Sequence, residues 1–133
     1  MIPPFDESGC LPPGIHPATL DEIESRFGRL SELRRVQMES VRWMVELAAR
    51  AGAARIVLNG SFVTDIMEPN DVDWVLLFTP GLKRDRAALR ELRDGLPFLD
   101  IALVGPTDFG EFVNVTFAVD RAGAPKGLVE VIL

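Results

Sequence analysis

Three aspartates stand on or beside runs of apolar residues, where a carboxylate is uncommon. Asp71 and Asp73 flank Val72 at the start of the run DWVLLF. Side chains two positions apart on a strand project to the same face, so these two carboxylates are expected to lie side by side. Like charges at that range raise one pKa unless a cation lies between them. The pair therefore predicts a divalent metal site, and its oxygen ligands favour magnesium or manganese over zinc.

Asp100 is a lone carboxylate inside the apolar run PFLDIALV. An unpaired charge there is costly, so Asp100 needs a compensating partner. If its strand lies beside the strand of Asp71 and Asp73, three carboxylates converge and can hold two metal ions. Such a site activates an attacking oxygen and stabilises a leaving pyrophosphate. The sequence thus predicts a two-metal centre for phosphoryl transfer.

Gly60 and Ser61 directly follow the apolar run RIVLN. A glycine at the end of a strand lets backbone N–H groups approach a phosphate closely. The Ser61 hydroxyl can donate to the same phosphate oxygens. We therefore expect this dipeptide to bind phosphate.

Structural alternatives exist for each motif. Residues 69–71 (PND) form a good turn sequence. A calcium loop over residues 65–73 would lack the glycine and the distal glutamate of an EF-hand. Asp100 could instead bond to backbone or to an arginine, and Gly60-Ser61 could be a plain tight turn.

Helices and strands are expected to alternate around these residues. Thr19 and Glu22 form a capping box that begins a helix ending at Gly28. Apolar spacing predicts a long helix over 31–51 and an exposed amphipathic one over 83–95. Buried or alternating apolar runs predict strands at 55–59, 73–78, 97–105, 111–119 and 127–133. This order predicts an α+β (mixed α/β) domain with helices packed on a mixed sheet.

The first 17 residues differ in composition from the rest, because they hold five of the ten prolines. Proline fixes φ and lacks an N–H donor, so we expect an extended arm over 1–17 and a single domain over 18–133. Leu11 and Ile15 are the apolar anchors that would hold the arm against the domain. His16 is expected to pack or hydrogen-bond rather than to bind a metal.

Composition limits the class of protein. The 133 residues carry a net charge of -6, which disfavours nucleic acid as a partner. Cys10 is the single cysteine, which excludes an intrachain disulfide and a multi-cysteine zinc site. The sequence has neither an apolar run of about 20 residues nor a basic export signal at its start. A cytoplasmic location without membrane contact is expected.

The motifs together resemble a known signature. Gly60-Ser61, nine intervening residues, the triplet Asp71-Val72-Asp73 and a later Asp100 are similar to the pattern of the DNA polymerase β type nucleotidyltransferase superfamily. The resemblance covers residues 53–104 best. Outside them, GCLPPGIHPATLDEIESRFG and APKGLVEVIL look like small bacterial nucleotidyltransferase-like proteins.

The resemblance implies a minimal nucleotidyltransferase domain over residues 18–133. Gly60 and Ser61 would then hold the phosphates of a nucleoside triphosphate. Asp71 and Asp73 would ligate two magnesium ions, and Asp100 would be the ligand that helps to deprotonate the acceptor hydroxyl. The expected reaction is transfer of AMP from ATP to a small molecule or to a partner protein encoded nearby, as in a toxin–antitoxin or defence operon.

One residue departs from the superfamily pattern. Many members carry a basic residue directly after Gly-Ser, where this sequence has Phe62. An arginine of the long helix, Arg34, Arg35 or Arg42, could replace the missing contact to the triphosphate. The rival interpretation is a catalytically inactive module of the same fold that acts through protein–protein contacts.

Overall fold

A mixed sheet forms the centre of the computed structural model, which describes residues 2–79, 85–116 and 123–133. Its strands are β1 (Gly14–Ala18), β2 (Arg55–Asn59), β3 (Val72–Leu77), β4 (Leu99–Val104) and β5 (Gly127–Val131). Their order across the sheet is β1-β5-β2-β3-β4. The outer pairs β1–β5 and β3–β4 are parallel, and β2 is antiparallel to both of its neighbours. The predicted α+β class is confirmed.

Three of the described helices begin at a residue whose side chain caps them. Thr19 and Glu22 form the expected capping box on α1 (Leu20–Phe27), and Ser31 caps α2 (Glu32–Ala51). Asp85 caps α3 (Arg86–Asp94), and α4 (Pro106–Glu111) has proline in its first turn. No helix within the described ranges is long and apolar enough to span a membrane.

Each face of the sheet has its own apolar core. Side chains of α1, α2 and α3 pack with Ile56, Leu58 and Trp74 on one face. On the other face, Val57 and Val75 pack against α4 and the π-helical turn Phe112–Thr116. Residues of β2 and β3 therefore alternate strictly between two buried faces.

The prediction of a strand over 111–119 is wrong for the residues of this range that the structure describes. Residues up to Glu111 belong to α4, the π-helical turn Phe112–Thr116 follows, and 117–119 lie outside the described residues. Phe109 and Val113, spaced four residues apart, are both buried against the sheet. This helical spacing outweighs the β propensity of the run FVNVT, because tertiary packing commonly overrides local preference.

The last part of the predicted arm is a strand of the sheet. Gly14–Ala18 form β1, although they lie partly within the residues where regular structure was not expected. Pro17 is tolerated because β1 is an edge strand. Leu11 is buried, as expected of an anchor, and its carbonyl accepts a hydrogen bond from the Gly127 amide at 2.9 Å. His16 Nε2 lies 2.7 Å from the Pro12 carbonyl, which confirms a hydrogen-bonding role.

Candidate functional site

The sheet brings Asp73 next to both motifs that were predicted to accompany it. Asp73 is in register with Asn59 on β2 and with Asp100 on β4. Asn59 ends β2 and leads directly into Gly60 and Ser61. The condition stated for convergence of the aspartates, that the strand of Asp100 lies beside the strand of Asp73, is thus met. One end of three adjacent strands carries the Gly-Ser dipeptide and two of the aspartates.

Gly60 and Asp73 are in close contact. Gly60 has φ 77° and ψ −162°, a backbone conformation that L side chains rarely adopt. A β-carbon built on Gly60 would overlap the Asp73 carboxylate. Glycine is therefore needed here both for the turn and for the space in which the carboxylate lies.

The environment of Asp73 favours its protonated form. Burial is the main reason that the pKa of Asp73 rises from 3.8 to about 6, and the charges of Asp100 and Asp71 add to the shift. The Lys126 ammonium acts in the opposite direction. Negative charge is thus concentrated at this end of the sheet, which a bound cation would relieve.

Metal ligation requires a closer arrangement of these groups than the structure has. Among the residues that the structure describes, no three His, Cys, Asp or Glu side chains are placed to hold one ion. Asp71 is exposed just before β3, and Asp100 is exposed on the edge strand. The oxygen ligands suit a hard divalent cation, so the chemistry fits. Binding would require the carboxylates to rotate toward one another.

The structural alternatives for Asp71 and Asp100 required hydrogen bonds or ion pairs that the described residues do not form. Within the described ranges, the side chains of Asp71 and Asp100 take part in no hydrogen bond or ion pair. Asp71 thus does not cap the turn over 69–71, and Asp100 is not held by an arginine of the described part.

A pocket of about 600 Å³ opens beside the Gly-Ser turn, a volume typical of small-molecule sites. Its walls include the three loop residues Ser61, Thr64 and Ile66, together with Gly60, Asp73 and Lys126. Cys10 and residues 68–70 complete the lining. Asp71 and Asp100 are not among the lining residues.

Lys126 and Asn59 belong to the site although no sequence motif identified them. Lys126 directly precedes β5 and lines the pocket. Asn59 is 1% exposed, and its side-chain Nδ2 has no hydrogen-bond partner among the described residues. The sequence did contain one signal for Asn59, because it is a polar residue at the end of the apolar run RIVLN.

Phe62 does not face the pocket. Its side chain is buried, with its ring centroid 6.2 Å from that of Phe27. The position after Gly-Ser therefore contributes to the core rather than to ligand contact, so a cation for the site has to come from elsewhere.

The three candidate arginines of α2 occupy different environments: Arg34, Arg35 and Arg42 share the helix, and none of them lines the pocket. Arg42 is paired with Glu24 and Asp21 on α1, and Arg35 is exposed. Arg34 is fully buried beneath the loop that follows Ser61. The expected replacement for a basic residue after Gly-Ser, an arginine inside the pocket, is thus not found among the residues that the structure describes.

The chain belongs to the DUF6932 family, a family of unknown function whose model matches residues 3–132. No curated protein shows significant similarity to it, and no solved structure does.

Proposed function

We propose that this member of the DUF6932 family is a metal-dependent nucleotidyltransferase. In this proposal it transfers a nucleoside monophosphate, AMP from ATP, to a hydroxyl group of a partner protein or a small molecule. One observation carries the proposal: Asp73 is in register with Asn59, which leads into Gly60-Ser61, and with Asp100.

The pocket supports a phosphate-bearing ligand. Gly60 and Ser61 line it together with Lys126, whose charge acts on Asp73. A lysine is a point charge that suits phosphate oxygens, and the Ser61 hydroxyl can donate to them. The Asp73 carboxylate on the same wall would repel an unaccompanied polyphosphate, so we infer that the ligand enters with a divalent cation.

Magnesium would neutralise the triphosphate and, as one of two ions, stabilise the departing pyrophosphate. Asp71, Asp73 and Asp100 are the residues that would hold the ions. In the proposed step, the acceptor oxygen bonds to the α-phosphorus, and the bond from that phosphorus to the bridging oxygen of pyrophosphate breaks. Asp100, exposed at the sheet edge, would accept the proton that the acceptor hydroxyl loses.

Size and charge argue against a nucleic-acid acceptor, and the resemblance to minimal nucleotidyltransferases supports a protein or small-molecule hydroxyl. The described residues form one sheet with its helices, and a net charge of -6 disfavours RNA or DNA. A hydroxyl of a neighbouring protein, such as one encoded in the same toxin–antitoxin or defence operon, or a small alcohol, is the acceptor that we propose. The free Cys10 at the pocket suits a reducing compartment, so we propose that the protein works in the cytoplasm.

The decisive experiment is calorimetric titration of ATP into the protein with and without magnesium. Wild type is expected to bind ATP when magnesium is present, and the double variant Asp71→Asn/Asp73→Asn to lose this binding. The matched control is Asp94→Asn on α3, which removes one exposed carboxylate away from the pocket. If wild type binds none of the four ribonucleoside triphosphates at millimolar concentration with magnesium, the proposal is wrong.

The second candidate is a nucleotide-binding module without catalysis that acts through protein–protein contacts. It is favoured by the absence, among the described residues, of three carboxylates arranged around one ion. Magnesium-dependent ATP binding without release of pyrophosphate, in the presence of the partner encoded nearby, would favour this candidate over the enzyme.

A further inference from the structure

Arg34 on α2 holds the loop that forms the pocket wall. Its guanidinium is 0% exposed and donates only to backbone carbonyls. Nη1 donates to Phe62 O at 2.7 Å and Nη2 to Thr64 O at 2.8 Å. The other accepting carbonyls are those of Ser61, Ile66 and Phe27.

This buried charge has no anionic partner in contact. No ion pair of Arg34 occurs within the part of the chain that the structure describes. Burial lowers the pKa of Arg34 to about 10, with the charge of Asp65 acting against the shift, so the guanidinium stays protonated at neutral pH. Burying a cation costs several kcal/mol of solvation unless other groups compensate for it. No group in contact with the guanidinium within the described ranges neutralises this charge, so its field extends across the loop.

The charge lies directly behind the pocket. Ser61, Thr64 and Ile66 accept hydrogen bonds from Arg34, and the same three residues line the pocket. Because the C=O and N–H of a trans peptide point in opposite directions, each carbonyl drawn to Arg34 turns the positive end of its peptide away from the helix. Two of these peptides already donate within the protein, Val63 N–H to Gly60 O and Asp65 N–H to Gly9 O. The dipoles that add to the charge toward a ligand are therefore those of the 61–62 and 66–67 peptides.

Resting on the nucleotide binding proposed above, we propose that Arg34 is a positioning residue that makes the pocket attractive to a polyphosphate from beneath the loop. It supplies this charge across the loop of residues 61–66, where Phe62 brings no side-chain cation. Lys126 then contacts the ligand from the pocket wall, and Arg34 acts without touching it.

The experiment separates charge from hydrogen bonding by chemical rescue. Inorganic tripolyphosphate with magnesium is titrated into wild type and into Arg34→Ala, with Arg42→Ala on the same helix as the matched control. We expect wild type and the control to bind alike and Arg34→Ala to bind about tenfold more weakly, a change of about 1.4 kcal/mol. Guanidinium chloride at low millimolar concentration should restore binding by Arg34→Ala. Urea, which has a similar planar shape and N–H donors but no charge, should not.

Several results would overturn the inference. The inference is wrong if folded Arg34→Ala binds tripolyphosphate with the affinity of wild type. It is also wrong if urea and guanidinium restore binding equally, or if neither restores it. If Arg34→Ala does not fold, Arg34→Lys decides, because it keeps the charge but not the planar fork. Binding by the lysine variant within about threefold of wild type supports the inference, and a loss of about tenfold or more overturns it. Absence of tripolyphosphate binding by wild type overturns this inference alone if ATP still binds with magnesium, and the proposed function fails as well only if none of the four ribonucleoside triphosphates binds.

Discussion

The carboxylate of Asp73 occupies the space beside Gly60 in which any other residue would place its β-carbon. The turn after β2 therefore packs directly against the acidic end of β3. A side chain introduced at Gly60 must displace the Asp73 carboxylate, which makes this contact a sensitive test of the site.

Gly60→Ala should abolish magnesium-dependent ATP binding and lower the free energy of unfolding by more than Gly95→Ala. Both glycines have positive φ, 77° and 72°, so each alanine brings a strain of roughly 1–3 kcal/mol. Only at Gly60 does the new methyl meet another group, because nothing lies within 4 Å of a β-carbon on Gly95. Urea unfolding and calorimetry of both variants check the prediction. Equal stability of the two variants would contradict the contact.

Replacement of Asp73 by asparagine should stabilise the protein at neutral pH. The folded-state pKa of Asp73 is raised from 3.8 to about 6, so the folded protein binds more protons between these values than the unfolded chain. The contribution of Asp73 to the free energy of unfolding of wild type is therefore lost as the pH rises from 4 through 6. Relative to wild type, Asp73→Asn should gain about 1–3 kcal/mol over that range, with solvent screening favouring the lower value.

The measurement for Asp73 is urea unfolding of both proteins at pH 4 and pH 7. The difference between the two proteins cancels the contribution of other carboxylates, such as Glu24, whose lowered pKa acts with the opposite sign. A gain that does not change with pH would show that the Asp73 carboxyl is not perturbed by burial.

The N-terminal segment should be an integral part of the domain. Leu11 is 1% exposed in the larger core, so Leu11→Ala should lower the free energy of unfolding by about 2–4 kcal/mol. It should also speed the amide exchange of β1, which Leu11 holds near β5 through the Gly127 amide. Leu30→Ala, at a residue that is 40% exposed, is the control and should cost about 0.5 kcal/mol or less. Rapid exchange throughout residues 9–17 in wild type would contradict this.

Most elements of the fold could be predicted from the sequence, because their signals are local. The strand at 55–59, the capping box of α1 and the long helix ended by Gly52 depend on residues within a few positions of one another. The run from Phe112 misled the prediction because its β-branched residues alternate as in a strand. Its buried position is set by contact of Phe109 and Val113 with the distant Val57 and Val75.

Only part of the candidate site could be predicted, namely the part that local sequence signals mark. Asp73 and Asp100 are unusual in apolar strands, and their juxtaposition follows once the strands are adjacent. The part played by Arg34 was not predictable, because arginine on an amphipathic helix normally faces solvent. Only the folded loop shows that carbonyls of residues 61–66 converge on that guanidinium.

The position of β5 in the sheet affects both the folding of the chain during synthesis and its tolerance of truncation. It is the last strand in sequence, yet it lies between β1 and β2 and links the two. During synthesis, β1 has no partner strand until residue 131 has left the ribosome, and the pairing of β1 with β5 spans more than 100 residues. Such long-range closure slows folding. Truncation before Gly127 would separate the N-terminal strand from the rest of the sheet, so expression trials need to retain both ends of the domain.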